Sequence, residues 1–304
     1  MLARRKEEDR MKRRRGRATR FSWAPYVLIA PGYVAFLGLI LVPLAYSIYL
    51  SFFNASFNLS AKSFVGLGQY FLLFDDPVFQ QALLNTFRYV IIVVPAAIVI
   101  SLGLALMMER FGPRLQGLFR GAFYLPTVAG GVILSIVWIW LFNPTYGLLN
   151  YGLGRLGIKP VLWLAEASTS YISVCIVMLT YTIGQPIILF LSGLAGIPQD
   201  ILDAATVDGV NAWQRIFLIK VPCIRPVMLF VLATLTIQIF QSWETVFMLT
   251  QGGPNNSSTS LVFLIYQTAF ISSRFGKAAA IGVVLTTIIM IVTMFQIRLW
   301  KEQE

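Results

Sequence analysis

Six stretches of this chain run long enough without a charged residue to cross, or nearly cross, a lipid bilayer. Residues 89–108 hold 20 residues between Arg88 and Glu109, residues 121–142 hold 22, and residues 278–297 hold 20 between Lys277 and Arg298. Residues 167–199 hold 33 between Glu166 and Asp200, residues 226–243 lie between Arg225 and Glu244, and the first run, 21–61, has 41. A helix needs about 20 apolar residues to span the hydrocarbon core. In lipid a chain must satisfy its own backbone groups, and helices do so segment by segment. The pattern predicts an all-α, polytopic membrane protein of six transmembrane helices, near 25–52, 83–108, 121–142, 170–193, 226–247 and 278–300. Composition agrees, with 12% charged residues against roughly 25% in soluble domains.

The formal net charge of +11 is concentrated at one end. Ten of the 24 Lys and Arg residues lie between Arg4 and Arg20. Such a tail can bind nucleic acid or anionic lipid, but in front of a membrane span it reads first as a topology signal that stays on the cytoplasmic side. With both ends inside, 18 basic residues fall inside and six outside. The chain therefore divides into a basic cytoplasmic tail, residues 1–20, and one membrane domain, residues 21–304, with both termini cytoplasmic. No nucleic-acid partner is expected.

Several chemistries are disfavoured. The chain has no histidine, the usual general base, proton relay and metal ligand. Cys175 and Cys223 are far apart and in no metal-type spacing. No Gly-Lys loop is present to cradle a phosphate. No catalytic residue, metal site or cofactor site is expected in this chain.

One polar stretch interrupts the apolar spans. Asp203-Ala204-Ala205-Thr206-Val207-Asp208-Gly209 is followed by nine residues and then Ile219-Lys220-Val221-Pro222. It reads as helix, turn, helix, with Asp208-Gly209 as the turn because glycine tolerates positive φ. Trp213, Ile216, Phe217 and Lys220 recur at helical spacing. By spacing alone it is either a docking element or a hairpin lying on the membrane surface.

This stretch resembles the cytoplasmic loop of ABC-importer permeases, written Glu-Ala-Ala, three residues, Gly, nine residues, Ile-x-Leu-Pro. Asp203, Ala204, Ala205, Gly209, Ile219 and Pro222 fall in that register, with Asp203 in place of Glu and Val221 in place of Leu. Further segments are similar to the carbohydrate branch, the maltose- and glycerol-3-phosphate-type permeases. They are Phe64-Val65-Gly66-Leu67 with Tyr70, Asn85-Thr86, Leu125-Pro126, Asn143-Pro144 leading to Gly147-Leu148-Leu149-Asn150, and Leu249 to Pro254 with Thr259, Tyr266 and Ala269-Phe270. The matches run from about residue 25 to 300. The resemblance implies a permease subunit of an ATP-driven, binding-protein-dependent importer in a bacterial or archaeal cytoplasmic membrane. It implies a second, homologous but different permease, two ATPase subunits carrying ATP and Mg, and an extracytoplasmic solute-binding protein. The loop would dock into the ATPase, Asp203 facing a basic residue there. The cargo would be a disaccharide or oligosaccharide, a polyol or glycerol 3-phosphate.

Polar residues within the spans are candidates for the substrate path, because buried polar groups in lipid face protein or water. They are Thr180, Tyr181, Thr182 and Gln185 in the fourth span, where Gly184 and Pro186 can loosen the helix, and Thr234, Thr236, Gln238, Gln241, Ser242, Trp243 and Glu244 in the fifth, with Glu244 near its outer end. On a continuous helix Gln238 and Ser242 share a face, and Trp243 can stack on a sugar ring. The same residues could simply join helices. A different class of protein, a secondary transporter with Glu244 carrying the coupling proton, is the alternative. The absence of histidine and of paired intramembrane carboxylates weighs against it.

Overall fold

A computed structural model describes residues 24–56 and 62–301; the tail at 1–20 lies outside the described residues. The chain falls into two compact units, up to Tyr49 and from Leu50 onward. The first contains helix α1 (Ala24–Phe36), which runs through a π-helical stretch, Leu37–Leu41, into α2 (Val42–Leu50).

The second unit opens with a small hairpin, β1 (Phe53–Asn54) paired antiparallel with β2 (Ser63–Phe64), then α3 (Gly68–Phe74). Helix α4 (Pro77–Met108) starts six residues earlier than the charge pattern placed it. Asp76 caps it by accepting from the Val78 amide at 2.9 Å, and Pro77, which has no N–H to lose, occupies the first turn. Helix α5 (Pro113–Leu141) likewise extends beyond its apolar run. Next come α6 (Leu148–Arg155), α7 (Ala167–Thr182) and α8 (Gly184–Ala195). The polar loop is α9 (Gln199–Val207), α10 (Ala212–Gln214), a π-helical turn Arg215–Lys220, and α11 (Val221–Cys223). The chain ends with α12 (Arg225–Phe240), α13 (Glu244–Leu249), α14 (Leu261–Tyr266) and α15 (Phe275–Lys301).

Among the described residues four helices are long and apolar enough to cross a membrane singly: Tyr26–Leu50, Pro77–Met108, Pro113–Leu141 and Phe275–Arg298. The count becomes six when two bent pairs are each taken as one span, α7 with α8 at 44° and Ala212–Cys223 with α12 at 71°. The predicted fifth helix, 226–247, is corrected: the helix stops at Phe240 and resumes at Glu244.

Helix α4 is the hub of the second unit and packs against α7, α8, α12 and α14. Its buried residues Ala82, Thr86, Tyr89, Val93, Ala97, Ser101, Ala105 and Met108 recur every three or four positions, which gathers them on one face. Ala97, Ser101 and Ala105 are small, and small residues let membrane helices approach closely. The core continues through Val177 and Met178 of α7, Ile187 and Phe190 of α8, and Val231 and Leu235 of α12.

Candidate functional site: three broken helices and a polar loop

Three helices lose their regularity at one place. Between α7 and α8 the chain bends at Ile183, where Pro186 cannot donate to the Thr182 carbonyl. Two hydroxyls from neighbouring helices serve carbonyls near the bend. Ser101 of α4 donates to Ile183 O at 3.2 Å, and Thr127 of α5 donates to Tyr181 O at 2.8 Å. A side chain at Gly184 would run into the Thr127 hydroxyl and the Phe123 carbonyl.

The second break is Gln241–Trp243. Its Ser242 carbonyl accepts from Ser260 Oγ at 3.1 Å. The Ser242 hydroxyl lies 3.2 Å from the Tyr181 hydroxyl, which is also 3.3 Å from Thr245 Oγ1. The third break is inside α5, where Gly130 has φ 77° and ψ 168°, a conformation open to glycine alone. At its neighbour Gly131 a Cβ would lie 2.9 Å from Glu244 Cγ, so the bare backbone lets α13 seat on α5. Tyr181, Thr127, Ser242 and Glu244 thus bring the three interruptions together.

The network reaches α4 through the segment before α14. Ser260 stands at its end, and Ser258, Thr259 and Ser260 are buried. Asn85 donates to the carbonyls of Asn256 and Thr259 at 3.0 and 3.1 Å, Tyr89 OH to Ser258 O at 2.9 Å, and the Leu261 amide to Thr86 Oγ1 at 2.9 Å. Gly252, at φ 82°, has Thr259 Oγ1 and the Phe263 ring where a side chain would stand. This part of the connection between α13 and α14 is therefore a buried strap. The sequence motif Leu249–Thr259 forms it, and the motif Asn85-Thr86 on α4 binds it.

The predicted path residues separate into two groups. Gln185, Gln238 and Gln241 are exposed on this chain, and among the described residues their amides have no hydrogen-bond partner. Thr182 is buried at 1% exposure and donates within its own helix to Met178 O at 2.8 Å. Ser242 is buried in the junction, and Trp243 stacks on Tyr266 with centroids 5.4 Å apart. Gln238 and Ser242 do not share a helical face, because the helix ends between them. Glu244 is not at the outer end of a straight span but beside Gly131, since the break turns α13 toward α5. Sequence reasoning singled out Tyr181 as a polar candidate of the fourth span but not as the joint of this cluster, and it missed Thr127 and Gly131. The doublet Gly130-Gly131 was the signal available.

The polar loop has the expected helix–turn–helix form. Asp203 and Ala204 are exposed, Ala205 is buried, and Gln199 donates to Asp203 Oδ1 at 2.9 Å. Asp208 ends α9 and Gly209 follows at φ 71°. The Gly209 amide bonds Thr206 O at 3.2 Å and the Val210 amide bonds Ala205 O at 3.1 Å, the paired closure of a Schellman motif. Asn211 and Gln214 form a capping box that starts the second arm. Arg215 donates to Thr206 Oγ1 at 2.7 Å and ties the two arms. Ile219 is half-buried and Pro222 exposed. Lys220 pairs with Glu109 at 2.6 Å and fastens the loop to the end of α4.

The chain is 34% identical to the multiple sugar-binding transport system permease protein of Streptococcus mutans, covering 86% of this chain and 90% of that one. It is 31% identical to the lactose transport system permease protein of Rhizobium radiobacter, over 92% and 94%. It is 29% identical to the sulfoquinovosyl glycerol transport system permease protein of Agrobacterium fabrum, over 91% and 90%. Its fold is shared with a chain of a bacterial alginate ABC transporter crystallised with an alginate-pentasaccharide-bound periplasmic protein, at TM-score 0.78 and 21% identity over 90% of this chain and 92% of that one. The family described as binding-protein-dependent transport system inner membrane component matches residues 97–301, more than half of the chain. The chain belongs to that family.

Proposed function

We propose that this chain is one of two different permeases in an ATP-driven carbohydrate importer. Cargo arrives from an extracytoplasmic binding protein, and ATP and Mg are handled by two copies of a separate ATPase. Both termini and the loop from α9 to α11 face the cytoplasm. The carbohydrate class is supported by relatives named for sugars, lactose and sulfoquinovosyl glycerol. Family membership leaves no need for a proton carried by Glu244.

The observation that carries this reading is the loop. Its two arms are locked by a positive-φ glycine, a capping box and the Arg215–Thr206 bond, and its far end is pinned to α4 by Lys220 and Glu109. A rigid element that presents Asp203, Ala204 and Asp208 outward is suited to receive a push from a partner and pass it to a span. The amides of Gln185, Gln238 and Gln241 supply uncharged hydrogen-bonding groups for a hydroxyl-rich cargo between the two permeases.

Gly209→Arg tests the loop. No atom lies within 4 Å of a Cβ there, so the variant inserts, but the positive φ is strained and a bulky cation stands at the turn. With the ATPase and sister permease coexpressed, transport falls at least tenfold and substrate-stimulated ATP hydrolysis falls with it. Normal transport by this variant, with ATPase copurifying as before, would remove the loop from the mechanism.

A further inference from the structure

The second arm of the loop has a face that none of the described residues covers. Trp213, Phe217 and Leu218 are exposed at 71%, 61% and 68%. The two rings stack with centroids 6.1 Å apart, forming one apolar ridge. The opposite face carries Ala212, Arg215, Ile216 and Lys220 and closes a cleft of about 300 Å³ with Leu106, Glu109 and Arg110. Leu106 belongs to the last turn of α4, so the arm lies beside the end of that helix rather than beyond it.

The arm, Ala212–Cys223, is bent by 71° from α12. Spans lie within roughly 20° of the membrane normal on average, so an arm at that bend runs close to the bilayer plane. An amphipathic segment in that plane, with aromatic residues on one side and cations near by, sits at the level of the headgroups. The cations are present. Arg110 lies in the α4–α5 turn and Arg114 and Arg120 in the first turns of α5; all three are exposed, and among the described residues none has a carboxylate partner, Glu109 being taken by Lys220.

We infer that the arm from Asn211 to Cys223 rests in the cytoplasmic headgroup layer and that its partner is anionic phospholipid. The division of labour within the loop follows. Helix α9 presents Asp203 and Val207 to the ATPase, while the second arm slides on lipid and is held there by Trp213 and Phe217. Arg110 and Arg114 bind the phosphates, so lipid charge sets how freely the loop moves. The inference rests on the cytoplasmic orientation proposed above.

The test uses the assembled importer, ATPase included, in nanodiscs of phosphatidylglycerol with or without bromine on the acyl chains. Bimane is attached through Phe217→Cys or, as the control on α9, Val207→Cys, on a cysteine-free background. Brominated lipid quenches the probe at position 217 at least twofold more than at position 207. That difference shrinks about twofold in neutral lipid, and equally in the Arg110→Gln, Arg114→Gln double variant in phosphatidylglycerol, as expected for loss of surface cations. Absence of lipid quenching at 217, with protection from aqueous iodide only while the ATPase is bound, assigns the ridge to the ATPase and overturns the inference. An impermeant thiol reagent applied to sealed vesicles separates the two readings. If it labels both positions from outside, the orientation has failed and the inference with it. If it labels position 207 only from inside while lipid quenching at 217 is absent, only the inference has failed.

Discussion

At Gly184 a single hydrogen stands where any side chain would meet the Thr127 hydroxyl and the Phe123 carbonyl. Backbone cannot retreat as a flexible side chain can, so Gly184→Ala pushes α8 away from α5. Overpacking of this kind costs roughly 1–3 kcal/mol. Gly103→Ala is the control, since nothing lies within 4 Å of its Cβ. Thermal unfolding in detergent should show a lowered midpoint for the first and an unchanged or raised midpoint for the second. Equal midpoints would mean that the close approach at 184 is not maintained. Asp76 illustrates a different residue-scale effect. Burial works to raise its carboxyl, but the Lys277 ammonium at 2.6 Å and the Val78 amide outweigh it and hold it below the ordinary carboxylate value. A lowered folded pKa contributes stability that is complete above the unfolded value, about 3.9, and is lost as pH falls through the folded one. Asp76→Asn keeps the helix cap and loses the charge. Its stability deficit should be present at neutral pH, no more than about 1 kcal/mol for a partly exposed pair, and should close in acid. A deficit independent of pH would show that the ion pair is not its source.

At the scale of elements, the loop and α4 are joined through Lys220 and Glu109, whose side chains are 14% and 28% exposed. If this pair passes the movement of the loop to α4, its loss separates ATP hydrolysis from transport without releasing the ATPase. Lys220→Glu should lower transport per ATP several-fold, and the reversed pair, Lys220→Glu with Glu109→Lys, should regain most of it, because a partly buried charge left beside a like charge costs more than the pair is worth. Transport per ATP is measured in proteoliposomes, with ATPase copurification as the check on assembly. Failure of the reversed pair to recover any transport would exclude the pair as the link. Much of this element was legible in the sequence. Asp208-Gly209 announced the turn, and the helical spacing of Trp213, Ile216, Phe217 and Lys220 announced the second arm. The pairing with Glu109 was not legible, because the two residues are 111 positions apart and charges in different loops carry no mark of their partners.

At the scale of the whole molecule, the exposed amides of Gln185, Gln238 and Gln241 have no partner among the described residues, and the proposed function assigns them to cargo or to a second permease. Loss of one hydrogen bond to cargo costs about 0.5–1.5 kcal/mol, roughly threefold to tenfold. Gln238→Ala and Gln241→Ala should therefore weaken transport by that factor, with the complex intact and ATP hydrolysis still responding to the binding protein. Loss of the complex would place these side chains in the joint between permeases, and unchanged kinetics for both would take them off the path. Thr182 and Ser242 belong to the internal joints, so their truncation should act on stability before it acts on transport.

The sequence by itself determined that the chain lives in lipid, where its spans begin and end to within several residues, and that a polar helix–turn–helix separates two of them. Those properties follow from local quantities, the length of charge-free runs and the conformational freedom of particular residues. It also marked the break at Gly184 and Pro186, because proline and glycine weaken a helix from within. The break at Gln241–Trp243 had no such mark, since no proline or glycine lies between Val227 and Gly252. That break is sustained by distant partners: the Ser260 hydroxyl on the Ser242 carbonyl, Tyr181 against the Ser242 hydroxyl, and Tyr266 beneath Trp243. Only the tertiary structure supplies those groups at that point. A helix surrounded by lipid has no water to satisfy a freed carbonyl, so it can open only where the fold has already brought a hydroxyl.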